Sequence, residues 1–358
     1  MSREGRPPLP AIDVVVTNHD YGAYVLDAVE SARAQSHPVK VVVVDDGSDD
    51  DSRQRLSRYE GTPGVELVLK QNGGQASAFN AGLARCQGEA VIFLDADDVL
   101  KPNAAARVAA AFAADPGLAK VQYRMDVIDA AGRPTGTLKP APHLPLPGGD
   151  LREAELARPF DIAWLPTSGN AFRLASLRRI LPVPERDYPI CGADWYVVHL
   201  TTLLGRVASL EEVCASYRVH GRNSYEPQEA RLDLEHVRET VSYAAVTAPA
   251  LARLADQLEL PHPRPILSVS DLANRLISLR LEPRRHPIAV DSRRGLVAAG
   301  LRAAGRRNDV AAPMRLAFAA WFVLEAVSPR PLAHRLAELF LFPERRPSLN
   351  GLLRRLHS

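Results

Sequence analysis

At 358 residues the chain is too long for one compact core of ordinary size, so two regions are expected. Its 46% hydrophobic and 24% charged residues exclude the disordered and collagen-like classes. The net charge of +2 conceals an asymmetry: residues 1–229 hold 24 Lys and Arg against 30 Asp and Glu, and residues 230–358 hold 20 against 12.

Met1 to Pro10 is polar and proline-rich, and the apolar run Val14–Val16 is too short for a signal-peptide core, so no export is expected. Ile12–Thr17, Val39–Asp45, Val65–Lys70 and Ala90–Asp95 read as strands, separated by helical periodicity at Ala23–Ala34, Ser52–Arg58 and Gln75–Arg85. The alternation predicts an α/β domain. Runs such as Val41–Val44 need cover on both faces, so the sheet should be mostly parallel with flanking helices and a ligand site beyond its carboxyl edge. Asp129–Pro159 is rich in Pro and Gly and reads as an excursion or active-site flap. An Ala/Leu/Arg-rich helical region follows, and its apolar run Leu316–Leu324 is half the ~18 residues a spanning helix needs. Cys86, Cys191 and Cys214 form no CxxC pair, read as small buried residues, and fit a reducing cytosol.

The second strand ends in Asp45-Asp46-Gly47-Ser48, and carboxylates there can accept bonds from a base or ribose. An Asx turn leading into a capped helix explains them equally well. Lys70 and Asn72-Gly73-Gly74-Gln75 offer donors for a diphosphate, or else start a helix. The fourth strand ends in Asp95-Ala96-Asp97-Asp98, where extended alternation would turn Asp95 and Asp97 to one side as a hard-oxygen site for Mg²⁺ or Mn²⁺. Capping of the next helix is the structural alternative. His220 could complete a metal shell or lie satisfied at the surface, and Arg222 has the charge to meet a departing diphosphate.

Together Val14-Val15-Val16-Thr17-Asn18, Val43-Val44-Asp45-Asp46-Gly47-Ser48, Gln71–Gly82 and Phe93–Asp98 resemble, in order and spacing, the family 2 glycosyltransferases. Thr167-Ser168-Gly169-Asn170, Gly192-Ala193-Asp194-Trp195 and Tyr217–Asn223 extend the likeness through most of the first 225 residues. The resemblance implies the GT-A fold over residues 1–228, with a nucleotide-sugar part at about 10–100 and an acceptor part at about 101–225, ahead of a helical region 229–358. It implies an inverting enzyme that takes a sugar from a nucleotide diphosphate donor, a uridine one by the uracil-type base it implies, with Mn²⁺ or Mg²⁺. By the same likeness Thr17, Asp45, Asp46, Asn72 and Asp95 meet the nucleotide, and Asp97, Asp95 and His220 hold the metal. Asp194 is the general base, while Trp195, Gly169, Asn170 and Arg222 contact acceptor or diphosphate. Two positions depart from the pattern: His19 replaces a stacking aromatic, and Ala193 replaces the acid ahead of Asp194.

A sugar-phosphate nucleotidyltransferase is the alternative enzyme, although Val14–Asp20 lacks the glycine-rich basic loop it would need. A nucleotide-sugar or carbohydrate binder without turnover is the other. No QxxRW-like motif supports a processive synthase. The expected partners are the donor and a hydroxyl acceptor, with no nucleic acid. Leu332, Leu336, Leu339 and Phe340 make an apolar stripe beside Arg330 and Arg335, read as core packing or as peripheral contact with the inner face of a membrane.

Overall fold

The computed structural model describes residues 9–144, 146–162, 165–221, 223, 232–265, 268–307 and 310–342. The chain forms two compact units: Met1–His220 with Thr247–Pro263, and Gly221–Val246 with Arg264–Ser358.

The first unit opens with β1 (Ile12–Asn18), α1 (Val25–Arg33), β2 (Val39–Asp46), α2 (Ser52–Leu56), β3 (Val65–Lys70), α3 (Gly74–Leu83) and β4 (Ala90–Asp95). These four strands pair in parallel in the order β3-β2-β1-β4. The β-branched runs of β1, β2 and β4 are buried on both faces, whereas β3 at the end of the order is half-exposed. Val14, Val16, Val41 and Val43 join α1 and α4 (Ala104–Ala114) in one core cluster. On the opposite face Gly82 of α3 lies against Val15 and Val44, where a Cβ would stand 2.5 Å from Val15 Cγ1.

The second part of the sheet is mixed. β5 (Val99–Leu100), β6 (Leu118–Asp129), β7 (Pro134–Lys139), α5 (Arg152–Ala157), β8 (Asn170–Arg173), α6 (Leu174–Leu177), α7 (Ala193–Leu204) and β9 (Arg206–Val219) complete it. β8 runs antiparallel between β4 and β6, while β9 lies parallel to β6 and antiparallel to β5. The fold is therefore GT-A-like, with its purely parallel portion confined to β1–β4. The Pro/Gly excursion is strapped down: Arg124 of β6 donates to the carbonyls of Pro140 (3.0 Å) and Leu144 (3.1 Å), and Gln122 reaches that of Pro147. Buried polar side chains on one face of β6 thus replace the apolar contacts a proline-rich segment cannot make.

The second unit is helical. α8 (Leu234–Gln257) contributes residues to both units, and α9 (Val269–Leu281), α10 (Arg293–Arg306), α11 (Ala312–Val327) and α12 (Arg330–Leu341) follow. Leu272, Leu276, Trp321, Phe322, Ala333 and Ala337 form its core, with Leu336 and Phe340 packed against it. The α12 stripe is therefore a core face, although Leu332 stays 47% exposed. No described helix is long and apolar enough to cross a membrane.

Candidate active site

Parallel register brings the polar strand ends into one row. Thr17 pairs with Val44 and Asp95, Asn18 with Asp45, and Asp46 with Lys70. This is the carboxyl edge, where open α/β sheets take ligands.

On the β2 side Asp45 is fully buried. Arg53 Nε donates to it at 2.7 Å, Asn18 Nδ2 at 2.9 Å and the Ser48 amide at 3.2 Å. Burial pushes its carboxyl up, but Arg53, Ser48 and Asn18 together hold it below the ordinary value. Asp45 is thus engaged inside the protein and sets the shape of the turn. Asp46 takes Lys70 Nζ and the Gly73 amide (3.1 Å), while exposed Asn72 lies 3.1 Å from His19 Nε2. Gly47 has φ +77°, and a Cβ on it would stand 2.3 Å from the Asn72 amide nitrogen. Only glycine lets the turns after β2 and β3 approach so closely. Gly74 begins α3 at φ +80° beneath the Pro189 carbonyl, and Gln75 accepts from the Ala193 amide at 2.9 Å. The nucleotide-side turn and the start of α7 are thereby joined.

The chain turns straight after Asp95, with the Asp98 amide on the Asp95 carbonyl at 3.0 Å. Asp95 and Asp97 therefore come near each other through a tight turn, and strand alternation, which ends at Asp95, is not the cause. Half-buried Asp95 accepts hydrogen bonds from Thr17 and Thr167. Burial, with Asp97 and Asp194 close by, pushes it up to about 8. Asp98 is raised too, by burial and by Asp97 and Asp95. His220 Nε2 lies 2.9 Å from Asp97 Oδ2, its ring stacked on Tyr24 at 4.8 Å.

Asp194 is the second residue of α7, behind Gly192 at φ +89°, and is buried. Gly192, not Asp194, caps the helix. The Trp195 amide donates to Asp194 Oδ1 at 2.9 Å and Thr167 Oγ1 to Oδ2 at 3.4 Å. Burial outweighs these bonds and raises its carboxyl to about 6. Trp195 is packed between Phe160 (5.6 Å) and His199 (4.7 Å). Asn170 is buried and donates to the carbonyls of Leu165 and Pro166, and Gly169 fits against Leu165 and Met125, so both shape the Thr167–Gly169 turn. Arg222 lies outside the described residues.

Three residues that hold the site together were not singled out from the sequence. Thr167 links Asp95 to Asp194, and Ser168 Oγ accepts from the Asp95 amide at 3.0 Å. Arg218 is the buried cation of the cluster: Nε donates to the Asp97 carbonyl at 2.7 Å and Nη2 to Asp27 at 2.9 Å, and its amide donates to Asp98 at 2.9 Å. The only sequence signal was hydroxyls and a cation inside Pro166-Thr167-Ser168-Gly169 and Tyr217-Arg218-Val219-His220.

Among the described residues no three His, Cys, Asp or Glu side chains gather so that they could hold a metal ion. Asp97 and His220 are brought together at 2.9 Å with Asp95 close by, and a divalent cation there would have to draw most of its shell from phosphate and water oxygens.

The description "Glycosyl transferase family 2" matches residues 13–166. The chain is 35% identical over 221 residues to an uncharacterized glycosyltransferase of Nostoc sp., covering 60% of this chain and 66% of that protein. It is 32% identical over 126 residues to the chondroitin synthase of Escherichia coli, covering 35% of this chain and 18% of that protein. The match therefore spans less than two thirds of either relative. The crystal structure of S. aureus TarS 1–349 in complex with UDP-GlcNAc covers 92% of this chain and 91% of its own at TM-score 0.51 and 16% identity, a likeness of fold. Residues 13–166, which hold the strand-end acids, therefore form a glycosyl transferase family 2 segment.

Proposed function

We propose that the protein transfers a sugar from a uridine diphosphate donor to an acceptor hydroxyl with inversion, and that Asp194 is the general base. The observation that carries this reading is the Thr167 bridge, which sets Asp194 beside Asp95 although 99 residues separate them in the chain. A buried carboxylate raised to about 6 is suited to accept a proton near neutral pH. The acceptor O–H gives its proton to Asp194 as its oxygen bonds to the anomeric carbon, and the bond from that carbon to the diphosphate breaks. Thr17, Asp46 and Asn72 line the nucleoside side, and Asp45 holds their turn. Asp97 and His220, with Asp95 close by, would hold Mn²⁺ or Mg²⁺, which when bound would offset the charge of the diphosphate. Residues 1–228 carry this activity. The TarS fold neighbour holds UDP-GlcNAc, which favours uridine as the donor nucleoside.

Purified protein with Mn²⁺ should release nucleoside diphosphate from at least one member of a nucleotide-sugar panel, and chelation should stop it. A chain that binds and cleaves no nucleotide sugar would sink the proposal. Equal nucleotide affinity with and without Mn²⁺ would remove the metal from it.

A further inference from the structure

We propose that the outer face of α11 docks on an anionic lipid bilayer surface. This face belongs to the second unit, and the proposal stands apart from the catalytic one. Every exposed residue of α11 is apolar. Leu316, Ala320, Val323, Leu324 and Val327 recur at i, i+4, i+7, i+8 and i+11 and so form one stripe. Leu316 is 71% exposed, Val327 72%, Leu324 49% and Val323 42%. The opposite face, Trp321 and Phe322, fills the helical core.

The polarity of the helix is inverted relative to an ordinary surface helix. Its one acid, Glu325, is fully buried, and both its carboxyl oxygens lack a hydrogen-bond partner. A helix apolar all round is stable only when both faces are covered. Here one is not, and a contiguous patch of this kind marks an interaction surface.

Charge identifies the occupant. From Arg293 to the last residue the sequence holds 12 arginines, no lysine and four acids, of which Glu325 is buried. Arg293, Arg294, Arg302 and Arg306 of α10 are exposed, as are Arg330 and Arg335 of α12. α10 packs directly on α11, Gly300 lying against the Phe322 ring. An apolar stripe on a helical unit whose neighbouring helices expose arginines matches acyl chains beneath anionic headgroups, each cation near such a surface adding about 1 kcal/mol. A second copy of this chain would bring the same positive charge against it. The stripe also offers no hydrogen-bonding side chain, whereas a protein interface normally carries several.

The test is co-sedimentation of the full chain with vesicles of phosphatidylglycerol and phosphatidylcholine, and with phosphatidylcholine alone. Binding to the anionic vesicles only, weakened at about 0.5 M salt, is expected. The double variant Leu316→Glu, Leu324→Glu should reduce the bound fraction at least about ten-fold with circular dichroism and donor turnover unchanged. Arg302→Gln with Arg306→Gln should lower anionic binding while leaving the stripe intact. Absence of vesicle binding by the parent protein would overturn the proposal, as would binding that the Glu variants leave unaltered. So would a dimer in size-exclusion chromatography that the Glu variants dissociate, since a second copy would then be the occupant.

Discussion

At the scale of single residues, Asp97 and Asp194, both buried, lie close to half-buried Asp95, and each has different neighbours. Asp194 receives hydrogen bonds from the Trp195 amide and Thr167, yet burial still raises it to about 6. A base must be deprotonated, so turnover should fall as pH drops through about 6. Asp194→Asn keeps the shape and cannot take the proton. Transfer at saturating donor and acceptor should drop about 10²-fold or more with donor affinity preserved. Near-parent rates in that variant would remove Asp194 from the role. Thr167→Val is the subtler probe. It deletes a hydroxyl that lowers both Asp194 and Asp95, so the acid limb of the pH–rate profile should move to higher pH. A merely structural threonine would lower the amplitude and leave the limb in place. Arg218→Met should destabilise the protein by about 2–4 kcal/mol, read by denaturant unfolding, because it strips a buried cation from the Asp97 carbonyl and from the Asp27 carboxylate.

Elements behave according to what their sequence leaves unsatisfied, and α11 is the plainest case. Glu325 is buried without a hydrogen-bond partner, and burial raises it to about 8 despite Arg280 nearby. The folded chain then holds a proton that the unfolded chain releases near its ordinary value of 4.5. Stability from this group is therefore greatest below about pH 4.5 and is lost as pH rises toward 8. Glu325→Leu should raise the melting temperature, more at pH 8 than at pH 5, by calorimetry against the parent. An equal gain at both pH values would refute the buried ionisation. The same local logic governs how far the sequence could be read. β1 to β4 were legible almost to the residue because runs such as Val41–Val44 need cover on both faces and admit few other structures. β6, β8 and β9 were not. Their pairing joins residues as far apart as Leu118 and Arg206, and β6 carries Lys120, Gln122 and Arg124 where periodicity expects apolar side chains. Asp95 and Asp97 could be picked out as acids at a strand end, and Asp194 through the family resemblance. Thr167, Ser168 and Arg218 gain meaning only once the sheet order brings them beside Asp95, Asp97 and Asp98.

For the molecule as a whole, the important division is between two units that each close a core of their own, one around the sheet and one among α9 to α12. All the nucleotide-site residues proposed above belong to the first unit. A ligand that binds a folded unit stabilises it by RT ln(1 + [L]/Kd), about 2.7 kcal/mol at a hundred times Kd. Uridine diphosphate with Mn²⁺ should therefore raise the unfolding temperature of the first unit, whereas the second, which contributes no described residue to the proposed site, should melt where it did before. Tryptophans separate the two readings: Trp195 lies in the first unit, and Trp321 lies in the second, 4.4 Å from Phe340. Trp321→Phe removes the second unit's reporter, while Trp164→Phe combined with Trp195→Phe leaves Trp321 alone as a probe of the helical core. Thermal scans of the pair, with and without nucleotide and Mn²⁺, should show the ligand-dependent shift in the Trp321→Phe protein. The red shift on unfolding attributable to Trp321 should hold its temperature. If both signals moved together by the same amount, the two cores would be unfolding as one cooperative block. The α8 helix, which gives residues to both units, would then be the element to interrupt next, by a Pro substitution at its exposed positions.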